Sequence, residues 1–150
     1  MQTMQTLTKP SPIPSLVRLE LIPPSELDGV WVECEAHVEK ATQRSNGRYT
    51  PADIKVAVWN GWMQLWVAHD GPQIISVCIT EVNKHPGGLE LCIVALGGEN
   101  YQSWANLLPF IEEWGREQGC RWGHVEGRDG IEKILGPTWQ RGQRVFEKEL

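Results

Sequence analysis

The stretch ALGGENYQSW, Ala95 to Trp104, puts two adjacent glycines where an apolar run gives way to helical spacing. A glycine turn that opens a helix can hold a phosphate, because backbone N–H groups converge there and no Cβ blocks the approach. Gly97 and Gly98 are therefore the candidate anion-binding residues of the chain. Glu99 follows them directly and works against that role. A carboxylate about 4 Å from a bound phosphate costs on the order of 4 kcal/mol at an effective dielectric near 20. That is about half of what micromolar binding supplies. For proton transfer, Glu81 and Glu90 are the carboxylates placed in strand-like runs, where a general base could stand. Each also fits the plainer role of a solvated residue at the end of a hairpin.

The other reactive types are scattered. Cys34, Cys78, Cys92 and Cys120 form no C-x-x-C pair, and Cys78 and Cys92 lie in apolar runs where a thiol behaves as a small hydrophobe. His37, His69, His85 and His124 have no metal-ligand spacing, so no metal site is expected. The net charge of −5, with no basic cluster beyond Arg141 and Arg144, argues against sequence-independent binding of nucleic acid. No apolar run reaches the roughly 18 residues of a membrane span, and the opening MQTMQTLTKPSPIPS has no apolar signal region. A reducing cytoplasm is the expected setting. Eight tryptophans are many for 150 residues; most should be core, leaving one or two for a partner surface.

These residues must be positioned by one domain, the number this length allows. Residues 1–14, with Pro10, Pro12 and Pro14, are expected to form an extended arm, and 15–150 the domain. SLVRLELI from Ser15 reads as a strand stopped by Pro23-Pro24. Leu27, Trp31, Cys34, Val38 and Ala41 then recur at three and four residues, which predicts a helix from Ser25 to about Arg44. Thr50-Pro51-Ala52-Asp53 is a helix start, with Thr as cap, Pro first and a carboxylate three residues on; Gly61 can close that helix. MQLWVAHD, IISVCITEV and LELCIVAL read as a meander of three antiparallel strands, with NKHPGG turning the chain before the third. Trp104, Leu107, Leu108, Ile111 and Trp114 give a helix ending at Gly119, with Pro109 predicting a kink or a split near Asn106. CRWGHVEG, DGIEKIL and QRVFEKEL follow as strand, short helix and last strand. The result is a mixed α+β domain, a central mixed sheet flanked by helices in three layers.

That order of elements, with EEWGREQGC closing a helix before another strand, resembles the GNAT fold of acetyl-CoA-dependent N-acetyltransferases over about Leu16 to Leu150. GRYTPADIKVAVWNGWMQLWV and VEGRDGIEKILGPTWQRGQRVFEKEL are similar to small GNAT-like proteins of tailed bacteriophages. The resemblance implies a cofactor turn of pattern R/Q-x-x-G-x-G/A before the main helix and, in many members, a Tyr after the last short helix as acid. Here Gly97 and Gly98 are adjacent, no Arg or Gln stands before them in register, and no Tyr follows Tyr101. Leu135 or Trp139 occupies the neighbourhood where the Tyr would stand. The implied reading is a degenerate acetyl-CoA site in a non-catalytic module without a cofactor, in the host cytoplasm or virion, whose partners are phage structural proteins. The alternative is an acetyl-CoA-dependent N-acetyltransferase with an atypical turn, in which Gly97 and Gly98 hold the cofactor. A ligand sensor with a CoA-sized cleft and no turnover is a third. They part on whether Trp104 or Trp122 fills the splay between the strand ending at Leu96 and the strand of Val125.

Overall fold

The computed structural model describes residues 17–99, 101–127 and 130–150; the expected arm at 1–14 lies outside them. Five strands form one sheet, in chain order across it: β1 (Val17–Leu21), β2 (Gln64–Asp70), β3 (Gln73–His85), β4 (Gly88–Gly98) and β5 (Cys120–Val125). β1 to β4 are antiparallel neighbours, so the meander is as expected. β5 lies parallel to β4. A parallel neighbour needs a crossover, and helix α3 (Trp104–Glu117) supplies it.

Helices cover both faces. On one, α1 (Leu27–Thr42) and α2 (Pro51–Trp59) bury Leu27, Trp31, Cys34, Val38, Ile54 and Val58 against Val67, Val77 and Ile79. On the other, α3 and the short α4 (Glu132–Leu135) bury Trp104, Leu107, Leu108, Ile111 and Ile134 against Trp66, Cys78, Leu91 and Ile93. This is the three-layer mixed architecture the periodicity implies. Trp31, Trp66 and Trp104 are buried, while Trp59, Trp62 and Trp122 stand exposed.

The start of α2 follows its sequence signal closely. Thr50 Oγ1 accepts a hydrogen bond from the Asp53 N–H at 3.2 Å, and Asp53 Oδ2 accepts one from the Thr50 N–H at 2.9 Å. Two otherwise orphaned donors are thus satisfied reciprocally. Pro51 occupies the first turn, where its missing N–H costs nothing.

Of the two outcomes expected at Pro109, the split does not occur: α3 is one continuous helix, entered through a 3-10 turn at Tyr101–Ser103. Pro109 costs roughly 3 kcal/mol inside a helix. Burial of Trp104, Leu107, Leu108 and Ile111, at about 1.5–3 kcal/mol for each large apolar side chain, outweighs it. Two further expectations are corrected. NKHPGG is not a six-residue turn: β3 runs on to His85, and only Pro86-Gly87 separates it from β4. Finally, QRVFEKEL forms no strand; residues 137–150 have no helix or strand. A strand exists only through its ladder, and after Gly136-Pro137 this segment joins none.

Replacing Thr50 with Ala should cost about 1 kcal/mol, because the cap of α2 is lost. Urea denaturation is the check: the midpoint falls while the slope is unchanged.

Candidate active site

β4 is where the sheet opens. β5 pairs with it only from Leu89↔Cys120 to Ile93↔Val125. Among the described residues, Val94 to Gly98 have no ladder partner on the β5 side. Val94 is the extra residue of a bulge against β3, since Ile79 pairs with Ala95 and Thr80 with Ile93. A bulge bends its strand and increases the local twist, and this one sits where β4 and β5 part.

Trp122 does not plug the gap. Trp122 packs at the far end of β5, against Gly87 and Gly88, with His85 edge-on to its ring at 6.1 Å. Trp104 is fully buried beneath the sheet, and its indole N–H donates to Ser76 Oγ on β3 at 2.7 Å. Ser76 Oγ in turn donates to the Gly97 carbonyl at 2.7 Å.

The two candidate glycines both lie on β4 at the gap, and each has a packing role of its own. A Cβ on Gly97 would stand 2.7–2.9 Å from the Ala41 N, Cα and Cβ, because the last turn of α1 rests directly on the strand. Gly98 has φ +127°, and a Cβ there would stand 2.6 Å from the Ile75 carbonyl oxygen and Ser76 Cα. The Glu99 N–H is already spent on the Ile75 carbonyl at 2.7 Å. Leu96 and Gly98 alternate with these β3-facing positions and turn their backbone groups towards the gap.

The α1 side of the sheet carries a cluster of titratable groups. Glu81, Cys92 and His124 are ladder partners on β3, β4 and β5, a single row across the sheet. Val77 and Ile79 point to the α1 side, so Glu81 does too. Gly123 faces Trp139, whose indole bonds to Glu112 of α3, so His124 points the opposite way, to the α1 side. Tyr49 joins them from the loop before α2. Its phenol is pushed above its ordinary pKa of 10.0 by burial, then by the charges of Glu81, Cys92 and Glu126, with Arg48 opposing. His124 Nε2 lies 3.3 Å from Glu126 Oε2.

Local chemistry fixes Tyr49 in place. Its N–H donates to Ser45 Oγ at 3.2 Å, and the Ser45 hydroxyl donates to its carbonyl at 3.4 Å. The left-handed residues Asn46 and Gly47 make the turn between them. The capping box of α2 begins at the next residue, so Tyr49 is clamped from both sides.

Of the two carboxylates read from the sequence, Glu81 lies in the row and Glu90 does not share its setting. Glu90 pairs with His85 at 3.4 Å near the Pro86-Gly87 turn, the hairpin-end role the sequence allowed. Tyr49, His124 and Glu126 were missed, because no sequence spacing links a loop before α2 to the far strand. They meet only in three dimensions, Tyr49 from the loop before α2, His124 from β5 and Glu126 just beyond it. The four cysteines are free thiols. Burial pushes Cys34 up to about 11 and Cys92 up to about 12, with nearby glutamates adding to both. Cys92 is thus a protonated thiol at neutral pH and a poor nucleophile. Among the described residues, no group of His, Cys, Asp and Glu is disposed to hold a metal ion, and no helix is long and apolar enough to cross a membrane.

The fold is shared with known structures. It is similar to an aminoglycoside acetyltransferase from an uncultured soil metagenomic sample, solved with sisomicin, at 12% identity over 92% of this chain and 99% of that one, TM-score 0.68. A GCN5-related N-acetyltransferase from Ralstonia eutropha matches at 14% identity over 89% and 98%, TM-score 0.62. A GNAT family acetyltransferase from Staphylococcus aureus matches at 12% over 89% and 98%, TM-score 0.61. The fold is GNAT-like. No protein-family profile matches the chain, and no curated protein does.

Replacing Gly97 with Ala should destabilise the protein by about 1–3 kcal/mol, since the Ala41 backbone cannot retreat without moving α1. Thermal unfolding without any ligand is the check. The thiols give a pH signature. A pKa raised on folding leaves full stability below the ordinary value of 9.0 and loses it as pH climbs towards 11–12. Denaturation midpoints should be indifferent to these thiols at pH 7–8.5 and fall above about pH 9; Cys92→Ser should flatten part of that fall.

Proposed function

We propose that this chain transfers an acyl group from an acyl-CoA to an amine. The observation that carries the reading is the gathering of Tyr49, Glu81, His124 and Glu126 on one face, at the row where β4 and β5 part. An amine attacking a thioester must lose a proton, and the departing thiolate must gain one. Glu81 is the group placed to take the first. Tyr49, held protonated by burial and by Glu81, is the donor to the second. An ordinary phenol is already a weaker acid than a thiol, and Tyr49 is raised further, so full transfer is uphill and Tyr49 serves as a hydrogen-bond donor while solvent completes the step. This phenol comes from before α2, where the resemblance led one to look after α4.

The fit for an acyl-CoA is partial. The unpaired backbone of Leu96 and Gly98 suits an amide-bearing arm laid along the strand, as an added strand would be. The start of α3 offers its N-terminal dipole to a pyrophosphate, and Glu99 opposes it. Bound there, the acyl-CoA supplies an electrophilic thioester carbonyl. The sequence expectation of a site too degenerate to act rested on the glycine spacing and the absent late Tyr, and Tyr49 removes the second ground.

A second reading remains specific to the turn. Gly97 and Gly98 are both accounted for by packing, and the Glu99 N–H is spent, which leaves less for a phosphate than the glycines promised. This favours a non-catalytic binding module of a phage particle, the origin that the tail sequence resembles.

Calorimetric titration of acetyl-CoA separates the two. Under the enzyme reading it binds at micromolar strength, Glu99→Gln tightens it, and Glu81→Gln cuts kcat for amine acetylation by about 10²-fold or more with KM little changed. No heat and no thermal shift at millimolar acetyl-CoA would favour the binding module instead.

A further inference from the structure

The last fourteen residues cross the molecule. Trp139 lies on the α3 side, over Gly123 of β5, with its indole bonded to Glu112 at 3.1 Å. Arg141 is paired with Glu132 of α4. Eight residues after Trp139, Glu147 Oε1 accepts from Arg48 Nη1 at 3.1 Å and Asn46 Nδ2 at 3.2 Å, both in the loop on the α1 side. Eight extended residues reach about 27 Å. The Arg141–Glu132 pair holds the segment at the Val125 end of the sheet. β5 is the edge strand of the sheet, so the segment changes face beside β5 within that reach, and it ends on the neighbour of Tyr49.

We infer that residues 140–150 are a strap across the mouth of the Tyr49–Glu81–His124 face, latched by Glu147 on Arg48 and Asn46 and released to admit the acceptor. The latch is suited to opening. Arg48 is 57% and Glu147 40% exposed, and an ion pair so exposed shifts an equilibrium by only about two- to five-fold. The strap adds no helix or strand to the domain, and its apolar side chains Val145, Phe146 and Leu150 are in water. Its removal thus leaves both cores untouched. The same pair connects strap and site, for Arg48 is bonded through its guanidinium to the Ser45 carbonyl at 3.0 Å in the turn that fixes Tyr49.

The strap rests on the proposed site only for what it admits; its opening is measurable without any activity. Cys92 lies in the row beneath Tyr49, and Cys34 and Cys78 lie in the cores. Alkylation is followed by mass spectrometry for the full chain, Glu147→Gln, and a chain ending at Gly142. The strap predicts faster labelling of Cys92, about two- to five-fold in Glu147→Gln and more in the shortened chain, with Cys34 and Cys78 unchanged as reporters of intact folding. The swap Arg48→Glu with Glu147→Arg should return the rate to that of the full chain. Equal Cys92 rates in the full and shortened chains would overturn the strap, whether or not acetyl-CoA binds. If acetylation is found, the shortened chain should show a lower KM for the amine; labelling that rises with no acetylation keeps the strap and sinks only the enzyme.

Discussion

The last turn of α1 lies on β4 with no side chain between them. At Gly97 the Ala41 backbone comes so near that a methyl group would stand within 3 Å of three of its atoms. From the other face, Trp104 and Ser76 tie the same Gly97 carbonyl to the start of α3. One residue is thus gripped by both helical layers, and the place where β4 parts from β5 is defined relative to both. The loop after α1 is carried over the sheet by this contact, and with it Ser45, Arg48 and Tyr49. A larger residue at 97 would push α1, and the loop that carries Tyr49, away from the sheet.

The glycine pair therefore serves the protein's own backbone first. A turn that reads from sequence as a phosphate cradle is, in three dimensions, a point where helix and strand need the same space. This does not remove the anion-binding potential of α3's first turn, which has its own dipole. It does mean that glycines there are not themselves the sign of a ligand. Ladder register is the better guide, because it places Glu81, Cys92 and His124 in one line across three strands.

Much of the fold was legible because local signals agreed with one another. Thr50 and Asp53 specify a helix start by chemistry contained in four residues, and Leu27, Trp31, Cys34 and Val38 specify a buried face by spacing alone. Glu81 could be nominated as a base from its strand, but nothing local told it apart from Glu90. Their difference lies in partners, Tyr49 for one and His85 for the other, which only tertiary structure supplies. QRVFEKEL misled for a related reason. Its residues are compatible with a strand, but strand formation is decided by a neighbour, and the sequence does not say that β5 ends the sheet.

The parallel pairing of β5 has a consequence for how the molecule is made. Antiparallel β2 to β4 close through short turns, whereas β5 can dock only after the chain has wound α3 across the sheet. Contacts between segments so distant in sequence form slowly, because loop-closure entropy is lost before they reward it. His124 and Glu126 arrive with that last strand, while Tyr49 and Glu81 belong to parts synthesised and collapsed earlier. A ribosome-bound chain that has emerged only through β4 holds a near-complete α1–α2 layer, and the row across the sheet is completed in one late event.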